Sequence, residues 1–394
     1  MTPTRLHRAV EIAVLLLALV SPWSITAAEI ALGVALLCCL GGWATRRVPW
    51  PSSALHRPLM LFAGVWTVAA IAGMHSVSRG FVQATHQWIL LAAPVVAVGL
   101  SRPVQRARAA VCLLASESLL GMYSLYQHLT GRDPLLGRAV EKLDAGGYLA
   151  TGTFSHHLTL AGHAMLATSV AIAVAVGATR ARHRAWAVLA CIGCGNALLW
   201  SYGRSAWIGV LVAAPFAVLG VDRVRRRVVW GMMSALLAAL VLVPPLRARL
   251  VHVLSDDVIG PRVRLWETAL RIIQAHPILG VGPGGWHAAF VQYHVPGFYW
   301  SDAHAHNDVL AVAANAGVLG LAAFVVLWAT VLRTTIAAAR ARRGGVLVLA
   351  GVLAAVAVLS GGQFQCFQTD AEVAILLWAI VGAACAAAPE VHAA

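Results

Sequence analysis

The stretch HAHNDVLAVAANAGVLGLAAFVVLWATVL, residues 304–332, starts as a knot of polar side chains and continues without a charge after Asp308. An apolar run of about 20 residues is the length that crosses a bilayer core. Comparable runs recur along the whole chain. Of its 394 residues, 60% are hydrophobic and only 11% are charged, whereas a soluble domain carries about a quarter charged residues. The runs are continuously apolar rather than alternating, which argues for helices and against barrel strands. The sequence therefore reads as an all-α polytopic membrane protein, a single transmembrane domain over residues 1–394.

About twelve spans are expected, near residues 8–22, 26–44, 58–75, 83–100, 108–128, 156–178, 185–200, 205–221, 228–246, 305–330, 344–360 and 371–388. The first could pass for a signal peptide, but an apolar run follows at once, so an uncleaved first span is expected. Net charge is +14, nearly all from Arg. In this setting the charge sets topology and implies no nucleic-acid partner. With the N-terminus in the cytoplasm, most of the 29 basic residues fall in short cytoplasmic loops around Arg46, Arg102, Arg180, Arg225 and Arg342. Both termini are then cytoplasmic. Most of the seven cysteines lie in apolar runs, and the Cys191–Cys194 pair sits inside a span, where it reads as packing rather than zinc or redox chemistry.

Two outer loops stand out, about 129–155 and the larger 247–304. Long loops without a domain of their own are usually functional. In the second loop, Leu265, Ala269, Ile272 and Ile273 recur at helical spacing before HPILGVGPGG breaks the pattern. This reads as an amphipathic helix at the membrane interface, then a Gly/Pro turn.

Three features carry chemistry. The first is His306. If the helix runs on from it, Gly317 lies eleven residues away, about 20° around the axis. His306 then shares a small-residue face with Ala313, Gly317 and Gly320 and looks toward protein. His304, Asp302 and Asp308 read as polar caps at the membrane exit. The second is Arg204 in WSYGRSAWIG, a cation in a tight outer turn that must be solvated or paired. The third is Arg262 with Arg264 in GPRVRLW, at the start of the amphipathic helix. A neutral imidazole can take a proton from a hydroxyl. Arginine forks can hold a diphosphate and its charge as it leaves. No nucleotide-binding glycine loop is present, so the activated bond must come with the substrate. A lipid diphosphate carrying a sugar supplies both that bond and a membrane address. We expect Arg204, Arg262 and His306 to line one outer cavity.

HNDVLAVAANAGVLG resembles the signature of the O-antigen ligase and polymerase superfamily: His, then Asn, Ser or Gln, nine residues, and Gly-x-x-Gly. The match falls on His306, Asn307, Gly317 and Gly320. SYGRSAWIG resembles the family's Arg-containing turn, and RVRLWETALRIIQAHPILGVGPGGW its loop helix. ATGTFSHHLTLA and QTDAEVAILLWAIVGA resemble weaker blocks, so the resemblance covers about 145–388. It implies a GT-C-like helical fold and inverting glycosyl transfer without metal or cofactor. The implied donor is a glycan on undecaprenyl diphosphate. The implied acceptor for a ligase is a lipid A-core sugar at the periplasmic face of the inner membrane. On this resemblance His306 would activate the acceptor hydroxyl. Arg204 and Arg262 would hold the diphosphate, with Arg264 as a helper and Asn307, Gly317 and Gly320 as supporting motif. His304 competes with His306 for the base; the motif register favours His306.

Four readings stay open. The chain is a ligase, or a repeat-unit polymerase or protein O-oligosaccharyltransferase of the same superfamily. From other classes, it is a flippase for lipid-linked glycans, or a metal enzyme using His287, His294, His304, His306 and Asp302. The near-absence of Lys and Arg from the spans, with the candidate residues on one side, disfavours a flippase, and the irregular spacing disfavours a metal site.

Overall fold

The computed structural model describes residues 5–73, 77–144, 146–219, 223–251, 256–299 and 304–388; Asp302 falls outside them. Among the described residues the chain is helical, with no strand and one isolated bridge between Lys142 and Tyr148. The first half holds α1 (Arg5–Val20), α2 (Ile25–Ala44), α3 (His56–Ala72), α4 (Val77–Thr85), α5 (Ala92–Gly99), α6 (Pro103–Thr130), α7 (His157–Gly177) and α8 (Ala181–Trp200). The second holds α9 (Arg204–Ala213), α10 (Arg223–Leu242), α11 (Pro244–Val251), α12 (Asp256–Ala275), α13 (Trp286–Tyr293), α14 (Asp308–Arg340), α15 (Gly345–Gly361) and α16 (Ala371–Ala387).

Among the described residues, helices or broken helices overlap the segments where spans were expected. Among the described residues, five segments are long and apolar enough to cross a bilayer: Ile25–Ala44, Gly80–Gly99, Pro103–Thr130, His157–Gly177 and Asp308–Arg340. Four more are apolar but shorter: His56–Ala72, Arg204–Val218, Gly345–Gly361 and Ala371–Ala387. α1, α8 and α10 begin with arginine-bearing turns. Large apolar side chains on α1, α2, α6 and α8 face outward, among them Ile12, Ile30, Leu37, Val111, Leu119 and Trp186. In water such a belt would be an association surface; in lipid it costs nothing.

The ends of the helices are set by local chemistry. Ser24, His156, Asn307 and Asp370 accept from the first free backbone N–H groups of α2, α7, α14 and α16. Pro103 opens α6, and Gly131 ends it in the left-handed region at φ 67°. α7 is buried over nearly its whole length, packed by α8, α15, α9 and α16. Within this core Glu117 of α6 lies 2.6 Å from His163 of α7, both fully buried. The contact lacks hydrogen-bond alignment, and both groups keep unsatisfied atoms. Glu117 and His163 went unremarked in the sequence because each is a single polar residue in an apolar run.

α14 departs most from the sequence reading. It is broken at Gly317, whose backbone sits at φ 61°, ψ −161°, a region open essentially to glycine alone. The freed backbone groups pair with the turn after α12. Val281 and Gly282 N–H donate to the Ala314 and Asn315 carbonyls at 2.9 Å, and Val318 N–H donates to Pro277 O at 2.8 Å. A broken helix survives at membrane depth only when protein satisfies its backbone in this way. A Cβ on Gly317 would meet the Ile278 carbonyl at 2.2 Å. Gly317→Ala should therefore destabilise the fold by about 1–3 kcal/mol from backbone strain alone. A melting temperature in detergent that equals wild type would contradict the break.

α12 forms where the spacing placed it, but its apolar face does not rest on lipid. Leu265, Ala269 and Ile272 pack with Trp286, Ala289 and Phe290 of α13 and with Ala311 and Ala314 of α14. Aromatic residues farther along the same loop supply the cover that headgroups were expected to give.

Candidate functional site

At one end of the bundle, four segments surround a cavity of about 650 Å³, within the usual range for small-molecule sites. The hairpin around Lys142 and Tyr148 gives Glu141, Lys142 and Asp144. The start of α7 gives His156 and His157. The α8–α9 turn gives Tyr202 and Arg204. The segment from α11 to α14 gives Arg249, Arg262 and His306. Arg204, Arg262 and His306, picked from three distant stretches, line this one space.

His306 is not on the helix. Asn307 caps α14, its Oδ1 accepting the Leu310 N–H at 3.0 Å, so His306 lies one residue before the cap, in the left-handed region at φ 48°. The shared helical face with Gly317 and Gly320 is thus replaced by another arrangement. The three residues His306, Asn307 and Asp308 are each laced to the loop between α15 and α16. His306 Nδ1 is 2.6 Å from Gln365 Oε1. Asn307 Nδ2 donates to Gln363 O at 3.1 Å. Asp308 N–H donates to Gly362 O at 2.7 Å, and its carboxylate accepts the Gln368 N–H at 3.3 Å. Asp308 is therefore a buried brace rather than an exposed cap.

The Gln365 contact fixes the His306 tautomer. An amide oxygen can only accept, so Nδ1 carries the proton and Nε2 keeps its lone pair. Burial pushes the His306 imidazole down, against the pull of Gln365 and with the repulsion of Arg262. His304 is engaged differently. Its Nδ1 accepts the His306 N–H at 3.1 Å, and burial pushes the ring down to about 3. Its free nitrogen in the neutral form is then the protonated one. His304 does not line the cavity.

Arg204 is placed by a three-residue turn. Tyr202 takes a left-handed conformation at φ 53°. A Cβ on Gly203 would meet Ala161 of α7 at 2.3 Å, so glycine allows the turn to press onto α7. Trp207 Nε1 donates back to Leu198 O at 2.8 Å and closes the α8–α9 corner. One terminal nitrogen of Arg204 is buried with no hydrogen-bond partner. Arg262 enters from α12, where burial, then Arg249, lowers its proton affinity. Arg264 lies elsewhere: it donates to Phe298 O at 2.9 Å and covers the Tyr299 ring at 5.9 Å. Two positions along a helix is about 200° around its axis, so neighbours in the GPRVR stretch face opposite ways.

The sequence reading missed Arg249. Its signal is faint, a second outer arginine in PPLRARL, yet Arg249 acts electrostatically on both Arg204 and Arg262. His156 and His157 belonged to a block noted only for resemblance. Among the described residues no three His, Cys, Asp or Glu side chains gather as metal ligands.

The stretch that holds the α8–α9 turn, α12 and the start of α14 is matched by a known family. Residues 189–325 match the O-antigen ligase family. The match covers about a third of the chain and includes the three stretches on which the motif resemblance to the O-antigen ligase superfamily rests most. The matched region contains Arg204, Arg249, Arg262, His306, Asn307, Gly317 and Gly320; Gln365, His156 and Glu141 lie outside it. No curated protein matches the chain. The apolar helices and the family match agree on a membrane protein.

Proposed function

We propose that this chain is an O-antigen ligase, an inverting GT-C-like glycosyltransferase of the bacterial inner membrane. It moves a glycan from undecaprenyl diphosphate to a hydroxyl of a lipid A-core sugar. The observation that carries the reading is one cavity lined by an imidazole held through Nδ1 and by arginines that, among the described residues, have no carboxylate within ion-pair distance. Arginine-rich loops at the opposite end of the bundle support a periplasmic side for the cavity under the positive-inside rule.

In the transfer, the acceptor oxygen attacks the anomeric carbon from the face opposite the diphosphate. The carbon–oxygen bond to the diphosphate breaks as the new glycosidic bond forms, which inverts the centre. The hydroxyl proton passes to His306 Nε2, and the leaving undecaprenyl diphosphate keeps the electron pair. Arg204 and Arg262 hold that charge with planar forks suited to phosphate oxygens. Gln365 holds the ring and stabilises the imidazolium as it forms.

The pH dependence follows. A base whose folded value lies below the usual 6.5 is neutral and competent above it. Transfer should stay flat from pH 8 down to about 6.5 and fall only below that. An acid limb centred above pH 7 would contradict His306 as the base.

The assignment is tested by deleting the gene in its host and restoring it as wild type or His306→Ala. Loss of long glycans from lipid A-core, with their accumulation on undecaprenyl, supports a ligase. Single repeats still attached to lipid A-core would make it a polymerase instead. No change in either pool would overturn both.

A further inference from the structure

Arg204, Arg249 and Arg262 line one cavity, and Arg249 is the one the sequence did not single out. Arg249 acts electrostatically on Arg204, on Arg262 and on His157. Its Nε is buried with no hydrogen-bond partner. Among the described residues, no carboxylate lies within ion-pair distance of any of the three guanidinium groups. The nearest compensation is Glu141, on the exposed hairpin at the cavity mouth, whose charge supports Arg249 against the cost of burial. Glu141 also acts on His156 at the start of α7. The hairpin is itself tied down: Arg138 donates to Asp133 at 2.7 Å and to Gly152 O at 2.8 Å, and Leu149 N–H donates to Glu141 O at 2.8 Å. Glu141 is thus an anion held in place near the cations without closing on them.

We infer that Arg249 is a third cation of the diphosphate subsite and that Glu141 is its resting counter-charge, opposing the bound diphosphate and hastening product release. This rests on the diphosphate reading of the cavity. A three-arginine subsite binds a dianion strongly. Undecaprenyl diphosphate is both the donor's anchor and the leaving product, so binding both equally well slows turnover. A fixed carboxylate lining the same cavity as Arg249 weakens that uniform grip. It costs little in the transition state, where Arg204 and Arg262 still face the developing charge.

The test uses the full chain in detergent, with inorganic pyrophosphate and undecaprenyl diphosphate as probes, and wild type, Glu141→Gln, Arg249→Gln, Arg249→Lys and Arg204→Ala as proteins. Glu141 is exposed, so removing its charge leaves the fold intact. Glu141→Gln should bind both probes roughly two- to fivefold tighter, the upper part of the range of an exposed charge contact. Its kcat and donor KM should fall together, the pattern of slowed release. Arg249→Gln should weaken both probes about tenfold or more, with Arg249→Lys between it and wild type. Unchanged or weaker binding by Glu141→Gln overturns the counter-charge role, and wild-type binding by Arg249→Gln overturns the third cation. The two failures separate cleanly. If wild type does not bind pyrophosphate, or Arg204→Ala binds it as well as wild type, the diphosphate reading itself falls.

Discussion

His306→Ala should lower kcat for glycan transfer by about 10²–10⁴-fold, the usual contribution of a positioned general base, while leaving the donor KM nearly unchanged. The split follows from the division of labour in the cavity. In the proposed site the arginines hold the donor diphosphate whether or not the imidazole is present, so ground-state binding should survive. What is lost is the acceptor for the hydroxyl proton, which matters only as the new bond forms. His304→Ala provides the contrast. That ring holds the His306 N–H at 3.1 Å, so its removal relaxes a backbone kept at φ 48° and costs about 1 kcal/mol, a several-fold change. A dead His304→Ala enzyme beside an active His306→Ala enzyme would reverse the assignment. Purified protein with lipid-linked donor and lipid A-core acceptor gives both constants.

Arg204→Ala and Arg262→Ala should each reduce kcat/KM by about 10²–10³-fold, the scale for removing one preorganised donor to developing charge. Lysine at either position restores the charge without the bidentate fork and should recover only part of the loss. Arg264→Ala separates this account from a general need for positive charge in the loop. Arg264 is spent on Phe298 O and the Tyr299 ring, so its loss should lower thermal stability while leaving kcat/KM within a few-fold of wild type. Equal losses at Arg262 and Arg264 would mean that the loop acts through net charge and not through a cavity contact.

The helical class was legible because twenty-residue apolar runs have few alternatives in a bilayer. The site was legible where a residue broke that pattern conspicuously: Arg204 is a cation in a three-residue turn, and His306 stands beside a long apolar run. What the sequence could not convey was partnership across the chain. Gln365, which sets the His306 tautomer, is 59 positions away in a loop with no periodicity. Arg249 looks like one more outer arginine until its neighbours are known. Helical projection carried His306 and Gly317 onto one face, yet the chain is interrupted at both ends of that interval. Asn307 competes for the helix start through its side-chain cap, and Gly317 permits a conformation that the turn at 277–282 then stabilises. The choice between Arg262 and Arg264 needed the fold, since both open the same helix.

A structure of the protein in a lipid nanodisc with undecaprenyl diphosphate bound would test whether Arg204, Arg262 and His306 form one site for a lipid diphosphate. The diphosphate should lie between the Arg204 and Arg262 guanidinium groups at about 2.7–2.9 Å, with His306 Nε2 facing the open side from which an acceptor hydroxyl would arrive. A diphosphate held by other cations, with Arg204 and Arg262 out of reach, would contradict it.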